Sequence, residues 1–153
     1  MALFLGSFLN KVDKKGRVSV PAPFRAALAP ASGFVALPSI FDSPCIEGWN
    51  LERVAELSAA IDRMSLFSPE RQALANTIFE ESSELAFDPE GRIALPDKLM
   101  AQAGITESAL FVGRGPTFEI WEPAHFEPFK AAARKQLRDN PPNIILRRDG
   151  DKP

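Results

Sequence analysis

The stretch VDKKGRVSVP, residues 12–21, returns as FDPEGRIALP at residues 87–96. In each version Asp and Gly bracket two turn residues, Arg opens a short apolar strand, and Pro closes it. Asp accepts hydrogen bonds from turn N–H groups and Gly adopts positive φ. Asp13, Gly16, Asp88 and Gly91 therefore read as turn-building residues. Val18 and Val20 alternate with Arg17 and Ser19, the period of a half-buried strand. Pro21 and Pro96 lack the N–H that a strand ladder needs, which ends both strands.

The correspondence extends outward from the turns. Phe24 aligns with Leu99, GFVALP (33–38) resembles ALFVGR (109–114), and IEGWN (46–50) resembles FEIWE (118–122), with Trp49 opposite Trp121. The offset changes only in a loop, where length costs little. This is an internal repeat: a first unit over residues 1–67, a linking helix over 68–82, a second unit over 83–140, and a tail over 141–153.

Each unit predicts a strand (8–12; 85–87), the turn, a second strand (17–20; 92–95) and a short helix (22–28; 97–103). Two more strands and a longer helix follow. Gly104 suits the closing position of the second short helix. Leu51, Val54, Leu57, Ile61 and Met64 form an apolar stripe on a helix over 51–64, as do Phe126, Phe129, Ala133 and Leu137 over 123–138. Ser68-Pro69 is a helix start, a capping side chain followed by Pro at the first helical position. One such unit buries little apolar surface and leaves its strand edges open. Two units interleaved into one closed barrel remove both problems. The expected fold is α+β: a single β-barrel body made from both repeats, with flanking helices.

Charge separates the two turns. The chain is −2 overall, yet residues 1–28 carry five cations against one acid, while residues 29–92 carry four arginines against eleven acids. Lys11, Lys14, Lys15, Arg17 and Arg25 make a basic patch around the first turn, and a basic two-stranded ribbon has the shape to enter a DNA major groove. In the second turn Pro89-Glu90 stands where the first has Lys14-Lys15, and Glu90 repels phosphate. Arg17 and Arg92 each carry two compatible readings. They pair with the turn Asp, or they reach phosphate or the O6/N7 edge of guanine.

Other functions find little support. Cys45 stands alone, so no internal disulfide forms, and it reads as a small buried hydrophobe. No apolar run approaches the ~20 residues of a membrane span. The start MALFLGSFLNK lacks a basic region ahead of its apolar residues, so a secretory signal is not expected and the cytoplasm is. His125 is the only histidine and makes no typical zinc site. No Gly-x-Ser-x-Gly elbow occurs, and Gly113-Arg114-Gly115-Pro116 reads as a turn. Glu80, Glu81, Glu84, Asp88 and Glu90 cluster as a cation site or a glycosidase pair would. A solvated helix end, or ion pairs across a subunit interface, is the favoured reading. No catalysis, cofactor, metal or small-molecule substrate is expected.

FLGSFLNKVDKKGRVSVPAPFR, residues 4–25, resembles the start of the MraZ family of bacterial regulators of the division and cell-wall gene cluster. The resemblance rests on Gly6, Asp13, Lys15, Gly16, Arg17, Val18–Pro21 and Phe24-Arg25. It continues through the second Asp-x-x-Gly-Arg at 88–92 and Glu119-Ile120-Trp121, and covers about residues 4–138. It implies two SpoVT-AbrB-type modules per chain in an intertwined, swapped-hairpin (double-ψ) AbrB-like barrel. It implies a ring-shaped homo-oligomer, commonly an octamer, that binds short repeats in double-stranded promoter DNA on the nucleoid.

Carried over by position, the DNA contacts are Lys15 and Arg17, with Arg92 next. Asp13/Arg17 and Asp88/Arg92 match the family's Asp-x-x-x-Arg pairs. Lys14 is added on charge, and Lys11 and Arg25 as neighbouring cations. Small AbrB-type barrels also bind partner proteins, so an antitoxin-like interaction module is the alternative. The tail matches no pattern and reads as mobile, with Arg147-Arg148 as candidate phosphate contacts.

Overall fold

The computed structural model describes residues 2–147 and 150. The chain forms two units, residues 1–123 and 124–153. The first unit begins β1 (Ser7–Lys11), β2 (Arg17–Ser19), α1 (Ala22–Leu28), β3 (Gly33–Pro38), β4 (Ile46–Trp49) and α2 (Leu51–Asp62). It continues through α3 (Pro69–Leu74), which runs into a π-helical turn (Ala75–Phe79), and then β5 (Ser83–Ala86), β6 (Arg92–Ala94), α4 (Asp97–Ala103), β7 (Ser108–Gly113) and β8 (Phe118–Trp121). The second unit is built on α5 (Pro123–Asp139), where the rings of Phe126 and Phe129 lie 6.4 Å apart and Phe129 and Leu137 are exposed. Arg148 lies outside the described residues.

The fold is α+β with mostly antiparallel strands. One six-stranded sheet runs β1-β7-β8-β4-β3-β5, and β2 pairs with β6 in a separate ribbon. The repeats exchange strands. β1 pairs with β7 from Ser7↔Val112 to Lys11↔Ser108, and β5 pairs with β3 from Gly33↔Ala86 to Ala36↔Ser83. β4 and β8 meet in the middle at Ile46↔Ile120.

Local chemistry sets the helix ends. Pro21 and Pro96 lead into α1 and α4, and Gly104 closes α4 in the left-handed conformation. The side chains of Asn50 and Ser68 cap α2 and α3 by accepting the backbone N–H of Arg53 and Arg71. The segment read as one helix over 68–82 is α3 followed by the π turn. There the hydroxyls of Thr77 and Ser82 donate to the carbonyls of Ala73 and Ile78.

The main core is aromatic. Phe118 is fully buried, with ring centroids 5.0 Å from Phe4, 5.1 Å from Phe24 and 5.0 Å from Phe34. Its ring fills the space where Gly48, its register partner on β4, has no side chain. A second cluster on the opposite face of β3–β4 joins Val35, Leu37, Trp49 and Ile78 to Val54, Leu57 and Leu74. Of the expected α2 stripe, Val54, Leu57 and Ile61 turn inward, whereas Leu51, the first helical residue, stays exposed.

Phe118 closes the core from β8, the second-repeat strand that pairs with β4 of the first. Phe118→Ala should destabilise the fold by about 3–5 kcal/mol, seen as a lower urea midpoint with an unchanged slope.

Candidate nucleic-acid interface

Both turns are built by the same hydrogen bonds. In the first, Asp13 Oδ1 accepts the backbone N–H groups of Lys15 (2.9 Å) and Arg17 (2.8 Å), and Asp13 Oδ2 accepts Arg17 Nε at 2.7 Å. In the second, Asp88 Oδ1 accepts Glu90 N–H and Arg92 N–H, both at 2.9 Å, and Asp88 Oδ2 accepts Arg92 Nε at 2.8 Å. Gly16 and Gly91 both take φ +77°, the left-handed region that side chains disfavour. Each glycine N–H donates back to its turn Asp carbonyl, at 3.0 and 2.9 Å.

The turns are also tied to each other. Val20 N–H donates to the Gly91 carbonyl at 3.1 Å, and Leu95 N–H donates to the Gly16 carbonyl at 2.9 Å. Between these bonds β2 and β6 pair in register Arg17↔Ala94, Val18↔Ile93, Ser19↔Arg92. Val18 and Ile93 are buried, so the alternate residues Arg17, Ser19, Arg92 and Ala94 share the outer face. Arg17 and Arg92 are diagonal neighbours on that face, about 7–8 Å apart along the backbone. Asn10 Nδ2 donates to the Ser19 carbonyl at 2.8 Å and fixes the ribbon to β1.

The pairing of each arginine with its turn aspartate is present at both turns. Pairing through Nε leaves the two terminal nitrogens of Arg17 without a partner among the described residues. A pair of terminal guanidinium nitrogens is the donor set with the geometry to meet a phosphate or a guanine edge. Asp13 and Asp88 are held below the ordinary carboxylate value of 3.8, chiefly by the backbone N–H of Arg17 or Arg92; burial opposes this, and the arginine side chain and the N–H of Lys15 or Glu90 add to the lowering. Arg92 is raised by its hydrogen bond to Asp88, with a further contribution from Asp13 of the other turn.

The remaining cations divide unevenly. Lys11, Lys14 and Lys15 are exposed and make no ion pair among the described residues. Glu90 Oε2 lies 3.7 Å from Arg92 Nη2, so the second turn neutralises part of its own charge. Sequence proximity groups Arg25 with the first turn, and the structure corrects this. The Arg25 guanidinium lies against Gly91 of the second turn, because α1 backs the other repeat's turn. No group of three or more His, Cys, Asp or Glu side chains placed to hold a metal ion occurs among the described residues. Glu80 and Glu81 face Lys98 of the same chain at 3.7 and 3.3 Å.

Two buried acids escaped the sequence reading. Glu47 and Glu119 are 2% and 3% exposed, opposite each other in the β4–β8 register. Each accepts the indole N–H of the Trp two residues on, both at 2.9 Å. Glu47 also accepts Ile40 N–H, and Glu119 pairs with Arg114 at 3.0 Å. The signal was the duplicated Glu-x-Trp, which puts both side chains on one strand face. The Cys45 thiol donates to Glu119 at 3.5 Å, and burial together with these carboxylates pushes its pKa far up, which disarms it as a nucleophile.

A duplicated α+β body that displays two Asp–Arg turns on one outer face is the class of protein defined here. The family model described as "MraZ protein, putative antitoxin-like" matches twice, at residues 3–77 and 78–148, and the chain belongs to the MraZ family. Relatives named "Transcriptional regulator MraZ" include that of Pelagibacter ubique, 49% identical over 90% of each chain. That of Rickettsia rickettsii is 47% identical over 88% of this chain and 91% of its own. That of Parvibaculum lavamentivorans is 43% identical over 90% and 86%. The name describes a regulator and not an enzyme.

Acid should open the turns before the core. The Asp charge stabilises the turns above pH 3.8, and this contribution is lost as pH falls through the lower folded values. Amide exchange at Lys15, Arg17, Glu90 and Arg92 should accelerate below that pH while Phe118 stays protected. Asp13→Asn should abolish the acid dependence at the first turn only.

Proposed function

We propose that the chain is a DNA-binding transcriptional regulator that grips short repeats in double-stranded promoter DNA through the paired turns. The observation that carries this reading is the β2–β6 ribbon, whose outer face bears Arg17 and Arg92 side by side, each held by an aspartate. Holding an arginine by Nε lowers the entropy lost when its terminal nitrogens bind a base edge or phosphate. Arg17 is the principal contact, Arg92 the second, and Lys14, Lys15 and Lys11 supply sequence-independent attraction to the backbone. Asp13, Gly16, Asp88 and Gly91 serve as the frame.

The family relationship supports the finer features. The strand exchange between repeats is what an AbrB-like swapped-hairpin barrel requires, with repeat units over 1–67 and 83–140, a linking segment over 68–82 and a tail over 141–153. A handful of cations per subunit gives only weak, salt-sensitive affinity. A ring-shaped homo-oligomer, an octamer in this reading, multiplies that grip when its turns meet successive repeats. The regulated genes are those of the division and cell-wall cluster, and the site of action is the nucleoid in the cytoplasm. No helix among the described residues is long and apolar enough to cross a membrane.

Arg17→Ala is the direct test. It should abolish specific binding to the DNA upstream of the chain's own gene in a mobility-shift assay, by at least about tenfold, with circular dichroism and subunit number unchanged. Equal affinity would remove Arg17 from the interface.

A further inference from the structure

The two turns differ in what backs them. Arg25 on α1 and Met100 on α4 occupy matching repeat positions, one residue after Phe24 and Leu99. The fold crosses them over. Met100 Sδ lies 3.5 Å from where a Cβ on Gly16 would sit, and a Cβ on Gly91 would overlap the Arg25 guanidinium. Each repeat's helix thus supports the other repeat's turn. The turn with two lysines at its tip receives a thioether, and the turn with Pro89-Glu90 receives a guanidinium.

That guanidinium is incomplete. Arg25 is half-buried, its Nε is enclosed with no acceptor, and it has no carboxylate partner among the described residues. The acids of the second turn are engaged elsewhere: Asp88 holds Arg92 at 2.8 Å, and Glu90 leans on Arg92 at 3.7 Å. The enclosed Nε is closed to any outside ligand, so only the terminal nitrogens of this half-buried cation, which no carboxylate of the chain engages among the described residues, are donors that an anion can meet. The ligand that fits is a backbone phosphate. Arg25 lies beside the turn that carries Arg92, and its planar donors suit phosphate oxygens.

We propose that Arg25 is the phosphate contact of the second turn, the first repeat lending the second the positive charge that Pro89-Glu90 lacks. The inference rests on the DNA-binding reading above and adds a site to it. Both turns then hold backbone, the first by its own lysines and the second by a borrowed arginine. The contact is to phosphate, so it carries affinity without sequence preference.

Arg25→Met tests this with the side chain already tolerated at the matching position. Affinity for the promoter duplex and for a scrambled duplex should fall by the same factor. The slope of log K against log salt should become shallower by about 0.9 for each Arg25 engaged. Arg25→Lys should keep most of the slope. Met100→Arg, which places the same cation behind the first turn, should steepen it and does not depend on how the Arg25 variants fold. An unchanged slope for Arg25→Met, equal losses in Arg25→Lys and Arg25→Met, or no effect of Met100→Arg would overturn the assignment. If Arg17→Ala loses binding while Arg25→Met retains it in full, this inference fails alone. If the unmodified chain binds neither duplex, the DNA-binding reading fails and takes this inference with it.

Discussion

Everything at the outer face depends on the reciprocal bonds from Val20 N–H to the Gly91 carbonyl and from Leu95 N–H to the Gly16 carbonyl. They close a ladder of only three residue pairs, too short to be stable as an isolated ribbon. The ladder persists because Val18, Val20, Ile93 and Leu95 are nearly fully buried in the aromatic core. Burial anchors one face of the ribbon, and the period of two then fixes which residues face out. A slip of one residue would bury the arginines and expose the valines. The core therefore sets the position of Arg17 and Arg92 before any ligand arrives.

Duplication explains why so much of the turn is invariant between repeats while its tips diverge. Asp, Gly and Arg satisfy backbone geometry: a carboxylate collects N–H groups that would otherwise go unpaired, and the glycine supplies a positive φ. Lys14 and Lys15 satisfy no such demand, nor do Pro89 and Glu90, so charge there is free to follow function. The same holds one layer down, where Arg25 and Met100 fill equivalent positions behind opposite turns. A shared scaffold with separately tuned charge is the physical content of the repeat.

Much of this was legible in the residues. The prolines mark where β2 and β6 give way to α1 and α4, Gly104 marks the end of α4, Ser68-Pro69 marks the start of α3, and the repeated Asp-x-x-Gly-Arg fixes the turns. These are local signals, and local geometry decides them. The pairing of β1 with β7 and of β3 with β5 was not legible, because strand partners are chosen by long-range burial rather than by the strand's own pattern. Arg25 was misplaced for the same reason: its nearest turn in sequence is not its nearest turn in space. Glu47 and Glu119 went unread because charged residues are rarely fully buried, and only a partner such as the tryptophan N–H permits it.

Chemical-shift mapping of the labelled chain with a promoter duplex addresses the shared face most directly. Amides of residues 14–19 and 88–94 should move together, at the same duplex concentration and with the same salt dependence. Shifts confined to one turn, or centred on α2 and the β3–β4 loop, would mean that the two turns do not act as one surface.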